Sequence, residues 1–167
     1  MGIQIRLERR AAQVLGPRFQ FNGQFEPAGR VLDYLNSENR STFPLFDVKI
    51  LSITPGKQLS GITRPEITVN QSELGLIYFL DAEYRQQVQL LRNFDSVIAY
   101  TPHAVVRGNF HRGVETRLGD LFDMMQGSFL AMTDVSIFPI ADLPAPFPQQ
   151  ADLLIVNRFF VNLYHPA

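Results

Sequence analysis

Two aspartates lie inside apolar, strand-like segments and are the residues best suited to acid–base chemistry. Asp47 is in FPLFDVKI and Asp134 is in FLAMTDVSI. If the two carboxylates face each other, they could share a proton or bind a divalent cation. The structural alternative is an aspartate at the end of a strand that accepts backbone N–H groups or pairs with an arginine. Neither aspartate has a nucleophile beside it in the sequence.

In each half of the chain, one asparagine lies between the last two predicted strands. Asn70 follows EITV, and Asn157 follows LLIV and precedes Arg158. Asparagine is common in tight turns because it tolerates left-handed backbone geometry, so a turn is the first interpretation. The second interpretation is an RNA contact made by these asparagines and Arg158.

Two arginines each precede an aspartate by one helical turn. Arg30 precedes Asp33, and Arg117 precedes Asp120. This spacing predicts an ion pair on one face of a short helix. The alternative is ligand binding, because a guanidinium matches the geometry of a carboxylate or a phosphate.

The other motifs of the sequence do not indicate a catalytic centre. The spacing of His103, His111 and His165 matches no metal-binding signature, and the nucleotide, hydrolase and zinc-protease motifs are absent from the sequence. We therefore expect no cofactor, no metal and no enzymatic activity.

Composition narrows the protein class. The chain has 167 residues, is 46% apolar, and carries 15 Lys+Arg against 16 Asp+Glu. This composition excludes a disordered tail and a strongly basic nucleic-acid binder. The absence of cysteine excludes disulfides and thiolate sites. We expect a cytoplasmic protein, because no segment has the apolar length of a membrane span or the pattern of a signal peptide.

An internal repeat organises these residues. Residues 30–80 align without gaps to residues 117–167 at an offset of 87, and upstream the offset is 85. The ten identities at offset 87 are Arg30/Arg117, Asp33/Asp120, Ser41/Ser128, Asp47/Asp134, Val48/Val135, Ile50/Ile137, Ile53/Ile140, Val69/Val156, Asn70/Asn157 and Leu76/Leu163. At offset 85 the pairs include Gly23/Gly108, which interrupt strand patterns and predict bulges. We interpret the pattern as a tandem duplication.

The elements that position the candidate residues follow from the repeat. We predict a mainly β (α+β) fold with repeat 1 at 1–80, a connecting helix at 81–93 and repeat 2 at 94–167. Each repeat is expected to be a small barrel with a short inserted helix, and its first strand in repeat 1 is expected at 3–7. A unit this small buries little surface alone, so we expect the two barrels to share a core about a pseudo-twofold axis.

The strand order resembles the small five-stranded barrel of Sm-like and SH3-like domains. The resemblance is carried by VRGNF at 106–110, FLAMTDVSIF at 129–138 and LLIVNRFFVNLYHP at 153–166, while the helix at 117–125 departs from the Sm-like layout. The set RLGDLF, FLAMTDVSI and VNR more closely resembles short uncharacterised bacterial domains with an RLSDLLN-like helix followed by LTDV and VN motifs. This resemblance implies tandem copies of one domain and implies no activity.

Together these features predict a non-enzymatic interaction or assembly module whose partner is another protein or a second copy. One alternative is an Sm-like RNA-binding protein. The other is a small-ligand or metal-binding enzyme that uses Asp47 and Asp134. No membrane partner is expected.

Overall fold

A computed structural model describes residues 6–53, 61–113 and 116–167. The strands are β1 (Arg10–Leu15), β2 (Phe19–Phe25), β3 (Thr42–Ser52), β4 (Ile62–Asn70), β5 (Leu76–Phe79), β6 (Asn93–Tyr100), β7 (Ala104–Arg112), β8 (Phe129–Pro139), β9 (Gln150–Asn157) and β10 (Leu163–Pro166). The helices are α1 (Val31–Leu35), α2 (Ala82–Gln86) and α3 (Leu121–Met124). Three 3₁₀ turns, at Gln71–Glu73, Leu118–Asp120 and Arg158–Phe160, complete the fold.

All ten strands form one open antiparallel sheet, and the protein is therefore mainly β as predicted. The order across the sheet is β10-β6-β7-β8-β9-β5-β1-β2-β3-β4. The first half of the chain contributes β5-β1-β2-β3-β4 and the second half contributes β10-β6-β7-β8-β9. The two halves meet where β5 pairs with β9, and we call this contact the seam.

The strand pairs of the two halves have matching registers. Leu15 pairs with Leu76 in the first half, and Tyr100 pairs with Leu163 in the second, which are shifts of 85 and 87 residues. The pairing of β2 with β3 and of β3 with β4 recurs in β7 with β8 and β8 with β9 at the same two shifts.

A β-bulge interrupts the same position of each half, as the glycines predict. On β3, Asp47 and Val48 both lie opposite Gly23, and the register shifts there. A Cβ added to Gly23 would lie 2.9 Å from Cγ2 of Val48, so the crowded side of the bulge needs a glycine. The corresponding shift in β7 spans Gly108.

The core is divided between the two faces of the central strands. One cluster contains Leu153 and Ile155 of β9 together with side chains of the first half, and the other contains Leu154 and Val156 of β9 together with side chains of the second half. Because alternate residues of a strand point to opposite faces, β9 is buried on both sides and forms a continuous apolar run. Each cluster draws side chains from both halves.

The expected pair of barrels about a pseudo-twofold axis is not what this sheet contains. About a twofold axis, the pairing of β5 with β9 would be matched by a pairing of their equivalents, β10 and β4. β10 and β4 lie at opposite ends of the sheet and do not pair with each other. The fifth strand of the first half pairs with the fourth strand of the second, and the sheet continues through both halves without closing.

One element prediction was wrong in its bounds, and another falls mostly outside the described residues. Within the described residues the first strand begins at Arg10 rather than in the predicted 3–7 segment, most of which lies outside them. The connecting helix spans only Ala82–Gln86 of the predicted 81–93. Asp81 caps its start, but Leu91 is 57% exposed and has no core to pack on, and β6 pairs with β7 from Asn93 onward.

The helices of the described residues are short. α1 and α2 have five residues each and α3 has four, and none has the length or apolar character needed to cross a bilayer.

Candidate functional site

The two strand aspartates do not form a common site. Asp47 is on β3 and Asp134 is on β8, and four strands lie between them in the sheet. Arg9 Nη1 lies 3.3 Å from Asp47 Oδ2, and Asn109 Nδ2 donates to Asp134 Oδ2 over 3.5 Å. Both aspartates are exposed, so neither carboxylate is in the desolvated setting that acid–base catalysis uses.

Backbone geometry gives these aspartates a structural role. Asp47 has a φ of 49° and Asp134 has a φ of 51°, and they are the only non-glycine residues with positive φ in the described chain. Aspartate tolerates this left-handed region better than most residues, and the bulge requires it. The structural alternative for the pair is therefore the one that the contacts favour.

The two predicted helical ion pairs are absent from the described residues. Arg30 Nη1 donates to Gln89 Oε1 over 2.6 Å instead of pairing with Asp33. Arg117 is exposed and forms no ion pair with Asp120. Both arginines are N-cap residues with extended backbone, so helical spacing does not apply to their side chains.

Backbone and hydroxyl contacts occupy the histidines. A ring nitrogen of His103 lies 2.6 Å from the Pro17 carbonyl, and those of His111 contact the Leu91 carbonyl and Thr133 Oγ1 at 2.8 and 2.7 Å. Nε2 of His165 lies 3.1 Å from the hydroxyl of Tyr100. Across the described residues, no three His, Cys, Asp or Glu side chains form a metal-binding group.

Asn157 is the one predicted site residue with a dense set of buried contacts. Its side chain is 1% exposed and lies at the seam. Nδ2 donates to the carbonyls of Leu74 and Gln71 over 2.8 and 3.2 Å, and Oδ1 accepts from the Phe159 N–H over 3.0 Å. Its main-chain N–H donates to the Gly75 carbonyl over 2.8 Å. Asn157 therefore joins the second half to the first.

Both asparagines lie at the N-cap position of a 3₁₀ turn, and neither has left-handed backbone geometry. Asn70 has a φ of −67° and Asn157 has a φ of −81°, and each precedes a 3₁₀ turn. Left-handed geometry occurs at the bulge aspartates instead. The predicted turn position was correct and its conformation was wrong.

The turn after Asn157 packs closely against the first half. Phe160 is 5% exposed, and a Cβ on Gly75 would lie 2.5 Å from its Cδ1 atom. Arg158 supports this turn, because its guanidinium lies 4.6 Å from the centre of the Phe159 ring and Nη1 donates to the Phe122 carbonyl. Arg158 is thus held by its own half of the chain.

Two more carboxamides connect the halves, and neither was predicted from the sequence. Gln20 is 1% exposed and exchanges two hydrogen bonds of 3.0 and 3.1 Å with the backbone of Ala145. Asn36 does the same with the backbone of Phe129 at 2.9 and 2.8 Å. Their partners are 125 and 93 residues away in sequence, so no local pattern marks them.

Asn70 occupies the position equivalent to Asn157 but has an open environment. It is exposed, and its side chain makes no capping hydrogen bond. Its strand, β4, is one end of the sheet, and β10 is the other end. Leu163 of β10 is 54% exposed, whereas its equivalent at the seam, Leu76, is fully buried. The two outer edges therefore carry the unpaired counterparts of seam residues.

Tyr164 fixes the position of β10. Its hydroxyl donates to the Leu118 carbonyl over 2.6 Å, and its ring packs on Phe110 and Phe122. Burial raises the pKa of the Tyr164 phenol, and the carboxylates of Asp123 and Asp120 raise that pKa further. The hydrogen bond and the two ring contacts hold the edge strand in place.

A groove of about 510 Å³ lies between the halves, where α1 and α3 approach the 89–91 segment. Apolar and polar side chains mix along it, including Leu91, His111 and Met124. Asp33 and His111 line this groove, whereas none of the residues predicted to bind a ligand does so, namely Asp47, Asp134, Asn70, Asn157, Arg158, Arg30 and Arg117.

Family models, curated proteins and solved structures were compared with the chain, and none of the three comparisons gives a match.

Proposed function

We propose that this protein is a non-enzymatic assembly module that joins polypeptides through the edges of its β-sheet. The observation that carries the proposal is the seam, where two unlike strands pair. β5, the fifth strand of the first half, pairs with β9, the fourth strand of the second half. The other fourth and fifth strands, β4 and β10, are therefore the two ends of the sheet. An unpaired strand edge is a template for pairing with another chain.

We further infer that the two halves are copies of one ancestral unit. The support is the constant register shift between equivalent strand pairs, together with the bulge and positive-φ aspartate at the same place in each half. The strand order β5-β1-β2-β3-β4 within one unit also supports the proposed similarity to Sm-like barrels and to short bacterial tandem domains.

The contacts of the predicted site residues favour the assembly role over the two alternatives. Asp47 and Asp134 are exposed bulge residues. The carboxamide of Asn157 already makes hydrogen bonds within the chain. Among the described residues, no observation favours the RNA-binding or the catalytic alternative.

Sedimentation velocity on the wild-type chain tests the proposal. We expect species larger than the 19.0 kDa monomer to form as protein concentration rises through the micromolar range. Such a weak association is typical of short edge contacts. A single monomeric species at every concentration would contradict the assembly role.

A further inference from the structure

We propose that β10 of one copy pairs with β4 of a second copy, in the register of the β5–β9 seam. This inference rests on the proposed assembly function and names its partner as the same chain. The seam is already a contact between a fifth and a fourth strand, and the same two strand types are left unpaired at the two ends of the sheet. A second copy therefore presents to each open edge the strand that this edge meets inside the molecule.

The repeat shift gives the register of the proposed contact. At the seam, Leu76 pairs with Val156, and Ile77 pairs with Ile155. The β10 equivalent of a β5 residue lies 87 positions later, and the β4 equivalent of a β9 residue lies 87 positions earlier. The first pair therefore becomes Leu163 of one copy and Val69 of the second copy. The second pair becomes Tyr164 and Thr68 of the second copy. Both new pairs are antiparallel, and each side chain points to the same face of the sheet as its equivalent at the seam.

Asn70 has the groups needed to repeat the bonds of Asn157. Asn157 donates from its backbone N–H to Gly75 and from its carboxamide to Leu74 and Gln71. The equivalent acceptors for Asn70 are the carbonyls of Asn162, Val161 and Arg158 in the second copy. This accounts for an exposed asparagine whose side chain makes no capping hydrogen bond within the described part of the chain.

The side chains at the two edges are complementary where they differ from the seam. Phe160 packs on Gly75 at the seam, and their equivalents at the open edges are Glu73 and Asn162. Glu73, a carboxylate acceptor, thus takes the place of Phe160, and Asn162, a carboxamide donor, takes the place of Gly75. Glu73 Oε2 is buried in the single chain and has no hydrogen-bond partner among the described residues, so the Glu73 side chain must turn outward to meet Asn162 of the second copy. A polar pair of this kind suits a contact that opens and closes in water better than Phe160 would.

The contact is head-to-tail, because each copy offers one β10 edge and one β4 edge. Such a contact continues from copy to copy and ends in a closed ring or an open filament. Pro65 and Pro166 lie beyond the paired residues on β4 and β10. Since proline cannot donate to a strand ladder, these residues limit the contact to a short segment, as at the seam.

Disulfide trapping tests the register, because the natural chain contains no cysteine. Val69→Cys and Leu163→Cys are made as separate variants and mixed under mild oxidation. Directly opposed residues on neighbouring strands have Cα separations that a disulfide can span. We expect a cross-linked dimer in the mixture, reversible by reductant, and no cross-link in either variant alone.

The matched control is Thr68→Cys mixed with Leu163→Cys. Thr68 is one position along β4, so its side chain points to the opposite face of the sheet. Cross-linking in this control but not with Val69→Cys would overturn the register. Homodimers formed by either single variant would show a like-with-like contact and would also overturn the inference.

A second variant keeps the inference testable if the cysteines disturb folding. Asn70→Ala is expected to raise the Kd of self-association about tenfold, because it removes bonds made only between copies. If the wild-type chain assembles while both the cross-linking and the Asn70→Ala effect are absent, the inference fails and the assembly function stands. If the wild-type chain never assembles, both fail.

Discussion

Replacing Asn157 with alanine is expected to lower the free energy of unfolding by about 2–4 kcal/mol, since a buried polar group that loses its partner costs about 1–3 kcal/mol. The substitution leaves the Leu74 carbonyl and the Phe159 N–H without this carboxamide at a buried seam. Urea denaturation followed by circular dichroism measures the change. Asn157→Asp keeps the acceptor but loses the donor and buries a charge, so we expect a loss at least as large.

The matched control is Asn70→Ala, which changes the same residue type at the equivalent position. Asn70 is exposed, and its side chain makes no capping hydrogen bond to the residues that the structure describes. At monomeric concentrations the free energy of unfolding should therefore stay within about 0.5 kcal/mol of wild type. Equal losses from Asn157→Ala and Asn70→Ala would contradict the distinction between a paired seam and an open edge.

Gly75→Ala is expected to destabilise the protein by about 3 kcal/mol or more, at the upper end of the usual cost of overpacking. The new Cβ would lie 2.5 Å from the Leu15 carbonyl oxygen and 2.5 Å from Cδ1 of Phe160. Because one of these neighbours is backbone, a change of rotamer cannot relieve the clash. The two halves would have to separate at the seam or the strands would have to shift.

Gly119→Ala provides the control for Gly75→Ala. A Cβ at Gly119 meets no atom within 4 Å, and the residue does not have positive φ. We expect no loss of stability there, measured by the same urea titration. A Gly75→Ala variant as stable as Gly119→Ala would show that the seam is not closely packed.

The alignment of the two halves was visible in the sequence because it depends on local requirements. Gly23 and Gly108 indicate the positions of the bulges. At the equivalent positions 47 and 134, both halves have an aspartate, a residue that tolerates left-handed backbone geometry. These constraints act on the backbone within a few residues. They restrict the residue type at each position, so the sequence shows them directly.

How the halves join was not predictable from the sequence. The sequence predicts two barrels because no local pattern specifies that β5 pairs with β9 of the second half. Gln20 and Asn36 look like ordinary polar residues, and their partners become neighbours only in the folded sheet. Asn70 and Asn157 are the same residue in similar segments, and only tertiary contact makes one of them buried and leaves the other exposed.

Hydrogen–deuterium exchange at low and high micromolar protein concentration tests the central claim, a seam repeated between copies, most directly. Amides in strand edges that become paired gain protection from exchange. We predict that β4 and β10 gain protection at the higher concentration, whereas β5 and β9 are protected at both. Exchange in β4 and β10 that does not change while the protein assembles, or protection gained on other strands instead, would contradict the account.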